Sequence, residues 1–200
     1  MKIVEISSYK RRKGDFCMCK ILKNIQGKSA LELLEQYGIS TDPPIDLSIL
    51  LKKIGISTMG VDFSEIEQAA RYEHGRILGA AISKGDNLTI FYRKEDTENR
   101  QRFTIAHELA HCCLHSNNLE QKHIELRENQ INKDQRELAA DIFAGELLIP
   151  TKSLDAVYKK LLIPSLSSLA RIFKVSSNVM AARLDYLSMA YMKDTEYTNL

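Results

Sequence analysis

Residues 102–115 read RFTIAHELAHCCLH, which places His107 and His111 four positions apart. On an α-helix such a pair lies on one face, roughly 6 Å apart along the axis. Two imidazoles arranged in this way can aim a nitrogen each at one point about 2 Å from both, the bond length of a first-row divalent cation. Glu108 is rotated by about 100° from His107, so it flanks the same cleft without standing between the two rings. The spacing H-E-x-x-H is a metalloprotease signature in which the Glu acts as general base and not as ligand. Two histidines leave the site incomplete, because a catalytic zinc takes three protein ligands and keeps an open position.

The third donor has to come from elsewhere in the chain. A metzincin continuation, H-E-x-x-H-x-x-G-x-x-H, would need Gly and His where the chain has Leu114 and Asn117. His115 continues the face of His111, but three ligands along two turns of a straight helix cannot converge on a tetrahedral centre. His115 is therefore read as a helix-end residue favoured by the dipole, or as a contact to substrate beside the site. In RELAADIFAGELLIP, Glu137 and Asp141 share a helical face. One of them can bind a metal while the other accepts a hydrogen bond from the far nitrogen of a ligating histidine.

The elements that must carry these residues follow from pattern. In SALELLEQYGI, Leu31, Leu34 and Tyr37 fall on one helical face and Gly38 ends it; after Pro43-Pro44, Asp46 caps DLSILLKKIGI, ended by Gly55. Residues 56–61, 76–83 and 87–94 have strand character, with KGDN as a hairpin turn, and 63–73 is a short helix or a loop. The expected sheet is small and antiparallel, and NLTIFY, if it lies at an edge, can hold an extended peptide by backbone pairing. Thr97 is the expected cap of the motif helix. Helical segments then run to Pro150 and on through SLDAVYKKLL, SLSSLARIFKV and SNVMAARLDYLSMAYM. The fold class is α+β: a small sheet on a helical core, followed by C-terminal helices.

Composition excludes several classes. The chain has 200 residues, 44% of them hydrophobic, and 28 Lys and Arg against 26 Asp and Glu give a formal charge of +2, no polybasic signature. Cys17, Cys19, Cys112 and Cys113 lack the spacing of a disulfide framework. With no signal-like or membrane-spanning apolar run, the chain reads as cytoplasmic and soluble. Cys112 and Cys113 are expected core residues, and Cys17-x-Cys19 lacks the further donors of a soft-metal site. Residues 1–28, with the basic run Lys10 to Lys13, are expected to be a loosely attached, disordered arm. Residues 29–150 form the catalytic domain and 151–200 a helical subdomain with helix-turn-helix spacing.

Both motif blocks have counterparts in a known family. RFTIAHELAHCCLH is close to R-F-T-x-A-H-E-L-G-H-x-x-L-H, and FAGELLIP at 143–150 is close to F-A-x-x-L-L-M-P. PPIDLSILLKKIGI and GAAI resemble the helix and strand that precede them. Over roughly residues 29–190 the chain resembles the ImmA/IrrE metallopeptidases of bacteria and their mobile elements. The resemblance implies a zinc endopeptidase with one Zn2+ per chain, related in donor order to gluzincins: His107, His111 and Glu137 as ligands, Asp141 orienting His107, and Glu108 as base. Asp141 is the alternative third ligand. The chain departs from the pattern at Ala110, where the family has Gly, and at Ala139-Ala140-Asp141, where Glu-Ala-Asn is common. The implied substrate is a helix-turn-helix repressor of the XRE type, encoded nearby and cleaved to relieve repression. Tyr92 and His115 are candidate contacts to the substrate or the transition state.

The alternative reading is a regulator that binds DNA or a repressor through LARIFKVSSNVMAARL without proteolysis. It is weakened by Lys174 at the usual glycine of the turn. Arg183, next to an acidic Asp185, also supplies too few cations for phosphate neutralisation.

Overall fold

The computed structural model describes residues 19–71, 73, 77–115, 122–126 and 135–192. The chain enters through three short helices, α1 (Lys20–Ile25), α2 (Ala30–Gln36) and α3 (Leu47–Ile54). Ser29 opens α2 with a reciprocal capping box: its hydroxyl accepts from the Glu32 amide at 3.3 Å and the Glu32 carboxylate accepts from the Ser29 amide at 2.7 Å. Asp46 caps α3, accepting from the Ser48 hydroxyl at 2.6 Å and the Ile49 amide at 3.0 Å, and these bonds hold its carboxyl below the ordinary range. Gly55 closes α3 at φ 93°, a left-handed conformation that glycine adopts without steric cost. The buried face of α2 differs from the expected one: Ala30, Leu33 and Leu34 point inward, while Leu31 is exposed.

The expected loose arm gives way to packed structure at residue 19. Cys19, Leu22 and Ile25 are buried, and the Gly27 amide donates to the carbonyl of Cys113 at 2.8 Å. A six-residue helix with two inward apolar residues is too short for its period to register in a sequence. The basic run Lys10 to Lys13 and Cys17 lie outside the described residues.

The sheet is mixed. Its strands β1 (Ile56–Val61), β2 (Ile77–Lys84), β3 (Asn87–Arg93) and β4 (Lys122–Leu126) run in the order β1-β3-β2-β4. β2 is antiparallel to both β3 and β4, whereas β1 lies parallel to β3, where an antiparallel pairing was expected. β1 ends and β2 begins at the same end of the sheet, joined through α4 (Ser64–Ala69), so β1, β2 and β3 alternate in direction along the chain; β1 and β3 pair in parallel because β3 inserts between β1 and β2. NLTIFY is consequently interior, and among the described residues the edges are β1 and β4. Gly85, at φ 61°, opens the two-residue turn between β2 and β3. At the other end of the hairpin a buried clasp fixes the start of β2. Glu67 accepts from the Ile77 amide at 2.7 Å and pairs with Arg93, whose guanidinium also donates to the Ile77 carbonyl at 2.9 and 3.1 Å.

Helix α5 (Glu98–Leu114) runs beneath β2 and β3 and packs on its other side against α6 (Gln135–Leu148). Enclosed in this way, it buries every residue from Ala106 to Cys113. Thr97 takes the N-cap position in an extended conformation but makes no side-chain cap bond. Arg102 ties α5 to its neighbours by donating to the carbonyls of Ile45 at 3.0 Å and Lys174 at 3.2 Å.

The last helices, α7 (Thr151–Lys160), α8 (Leu166–Phe173) and α9 (Ser177–Tyr186), contribute Leu154, Leu169, Phe173, Met180 and Leu184 to the same buried cluster as α5 and α6. Arg183 faces inward, only 4% exposed. It pairs with Glu146 and donates to the Ile149 carbonyl at 3.2 Å and the Thr151 hydroxyl at 2.8 Å. The cation that a recognition helix would offer to DNA is thus consumed inside the protein. Replacing it by Met keeps the aliphatic stem but removes the counterion of Glu146, which keeps the Thr151 amide and hydroxyl as donors. Urea unfolding of Arg183→Met is expected to show a loss of about 3 kcal/mol, and a loss under about 1 kcal/mol would mean that the clasp contributes little.

Candidate metal centre

A helix buried on all sides can carry ionisable residues only if they are partnered. In α5 the partners come from α6. The Nε2 atoms of His107 and His111 face each other at 2.9 Å, and the Glu137 carboxylate reaches His107 Nε2 at 3.1 Å and His111 Nε2 at 3.3 Å. One donor atom from each of these residues lies within 4.8 Å of the others. Ligands of a tetrahedral centre with bonds of 2.0–2.1 Å stand about 3.3 Å apart. The triangle therefore fits a zinc-sized ion, and two imidazoles with a carboxylate make a donor set suited to one.

The far side of His107 settles how that ring is held. Asp141 Oδ1 lies 2.9 Å from His107 Nδ1. An ionised carboxylate only accepts, so the imidazole proton sits on Nδ1 and donates to Asp141. The Nε2 lone pair is thereby turned toward His111 and Glu137. The sequence left open which carboxylate faces which nitrogen; in the structure Glu137 is on the shared side and Asp141 behind the ring. The contacts with His107 and then His111 hold the Glu137 carboxyl far below the usual carboxylate range, against the opposing effect of burial. His107 and His111 are 1% and 2% exposed, while Glu137 and Asp141 are each a quarter exposed, so the group opens toward α6.

Glu108 is fully buried, and its carboxylate lies under β2 against Gly79. It is not one of the three clustered donors. His115 is the C-cap residue of α5, and its Nε2 donates to the Arg136 carbonyl at 3.3 Å. It thus supports the start of α6, one residue before Glu137. Tyr92 pairs with Gly79 across β2 and β3, but its ring lies over Gly60 of β1, on the far side of β3 from Gly79. Neither His115 nor Tyr92 is one of the three clustered donors. Cys112 and Cys113 are core residues as expected. Burial pushes the Cys113 thiol up to about 12 and the Cys112 thiol well above its ordinary value, which leaves both without the thiolate that reactive cysteines need.

Sequence reasoning passed over Gly79, Thr104 and Arg102 as parts of the site's framework. A glycine inside a strand was the one available signal, since it marks a close approach by a neighbour. A comparison with protein-family models matches residues 51–185, which include every residue of the metal centre, to the IrrE N-terminal-like domain, Peptidase_M78. Among curated proteins no match is found.

Proposed function

The chain belongs to the IrrE N-terminal-like family and is a metallopeptidase; from this premise we propose that it is a zinc-dependent endopeptidase that cuts a helix-turn-helix repressor of the XRE type encoded near its own gene. The observation that carries this reading is the meeting of His107, His111 and Glu137 around one ion-sized point, with Asp141 behind the first ring; Glu108 follows His107 on the same helix, buried under β2. His107 and His111 would hold the ion by Nε2 and Glu137 by its carboxylate. When bound, zinc polarises the scissile carbonyl and lowers the pKa of a coordinated water to about 7. Glu108 takes the proton of the attacking water as the new C–O bond forms, then gives it to the leaving amine as the C–N bond breaks. Asp141 keeps the His107 tautomer fixed throughout. Among the described residues β4 is an edge of the sheet, and an extended peptide paired along it would continue the sheet that covers Glu108.

That no helix of the described residues is long and apolar enough to cross a membrane accords with a cytoplasmic site of action. The inward Arg183 supports a packing role for α9 over one in DNA reading.

The test is to incubate the full chain with the purified repressor and identify the fragments by mass. Internal cleavage that stops on removal of metal with dipicolinate and returns on addition of zinc is the expected outcome. Cleavage that continues in protein shown by metal analysis to be metal-free would reject the reading. Specific, salt-sensitive DNA retardation by the chain alone, without repressor cleavage, would favour the regulator instead.

A further inference from the structure

Gly79 has a backbone conformation that other residues also adopt, since its φ is not among the positive values of the chain. Its requirement for glycine is one of space. A Cβ built there would lie 2.6 Å from Thr104 Cγ2, 3.0 Å from Glu108 Oε1 and 3.2 Å from Glu108 Cγ. Contacts under 3.0 Å force a displacement, and 3.0–3.4 Å requires a neighbour to yield. Here the neighbours cannot yield easily, because Thr104 and Glu108 are both buried on a helix enclosed from Ala106 to Cys113. The strand cannot retreat freely either, because the Glu67–Arg93 clasp grips Ile77 two residues upstream. The pairing of β2 with β4 also shifts register between Ile77 and Gly79, so the ladder is irregular at the point where Glu108 sits beneath it.

From these contacts we infer that Gly79 is a positioning residue for the general base: the missing side chain is the slot that holds the Glu108 carboxylate in register with the donor triangle. The inference rests on the proposed role of Glu108. A methyl group at position 79 moves the carboxylate while leaving His107, His111 and Glu137 in place. Displacing a catalytic group by about 1 Å costs on the order of a hundredfold in turnover.

Two readouts test this, one of them independent of turnover. Acetohydroxamate chelates a divalent ion through two oxygens and gives its proton to an adjacent carboxylate, so its affinity for the cobalt-substituted protein reports where Glu108 stands. Gly79→Ala is expected to retain stoichiometric metal, to weaken acetohydroxamate by about tenfold or more and to lower kcat for repressor cleavage by about a hundredfold, with KM nearly unchanged. Because the alanine methyl also meets Thr104, the double variant Gly79→Ala/Thr104→Ser removes the contacting Cγ2. It should regain the urea stability of Thr104→Ser but not the lost affinity or kcat. If the double variant recovers both, Gly79 serves helix–strand packing only and the inference is overturned. Glu108→Gln separates the two levels. If it cleaves and binds acetohydroxamate like the wild type, or if the wild type binds none, the reading of Glu108 fails. A defective Glu108→Gln beside a normal Gly79→Ala removes the Gly79 inference alone.

Discussion

Glu108→Gln is expected to lower cleavage of the repressor by about 10²- to 10⁴-fold, the usual contribution of a positioned general base, while zinc content and urea stability stay close to wild type. Glutamine keeps the size of the buried side chain and its van der Waals contact with Gly79, so the scaffold is little disturbed. It cannot take up a proton at neutral pH, and the attacking water then has no acceptor beside it. The distribution of the loss carries the information. A base that acts in the transition state lowers kcat and kcat/KM together, whereas a residue that only binds substrate raises KM. A loss confined to KM would move Glu108 from catalysis to substrate binding. The check is a full rate-against-concentration series for both proteins, with zinc measured on the same samples.

Glu137→Ala is expected to empty the centre at equimolar zinc, and Asp141→Ala to weaken zinc by about 10- to 100-fold while still loading at excess metal. The order follows from which nitrogen each carboxylate faces. Glu137 meets both Nε2 atoms, the side on which an ion would sit, and its removal leaves two neutral imidazoles with no charge to offset a dication. Asp141 touches only Nδ1 of His107, so its loss frees the ring to rotate or change tautomer but deletes no donor from the triangle. Titration with a competing chromophoric chelator gives both constants. If Asp141→Ala loses zinc and Glu137→Ala keeps it, the ligand roles are exchanged.

Much of this geometry could be read from residue spacing, because the helical repeat converts sequence distance into a shared face. Four-residue steps from His107 to His111 and from Glu137 to Asp141 put each pair on one side of its helix, and the structure sets the two sides together. Spacing within a helix is silent on what lies across from it, so neither the sheet order nor the presence of β4 could be read. The parallel pairing of β1 with β3 depends on β3 inserting between β1 and β2, which local pattern does not encode. Buried ion pairs were hidden for a related reason. Glu67, Arg93 and Arg183 are residues usually assigned to solvent, and only the three-dimensional partners of each make its burial tolerable. Gly79 shows the same limit at its sharpest, as the reason for an absent side chain lies entirely in the residue opposite it.

The clasp of Arg183 on Glu146 and the Ile149 carbonyl has a consequence for where the chain can be shortened. Glu146 and Ile149 lie at the exit of the helix that begins with Glu137 and Asp141, so the final helix holds down the far end of the segment that carries the acidic donors. A fragment stopped at Pro150, the natural cut suggested by the chain's punctuation, would lose this counterion and the core contributions of Leu154, Leu169, Phe173, Met180 and Leu184. Such a fragment should be recovered as aggregate and not as a trimmed peptidase, however complete its list of metal-binding residues.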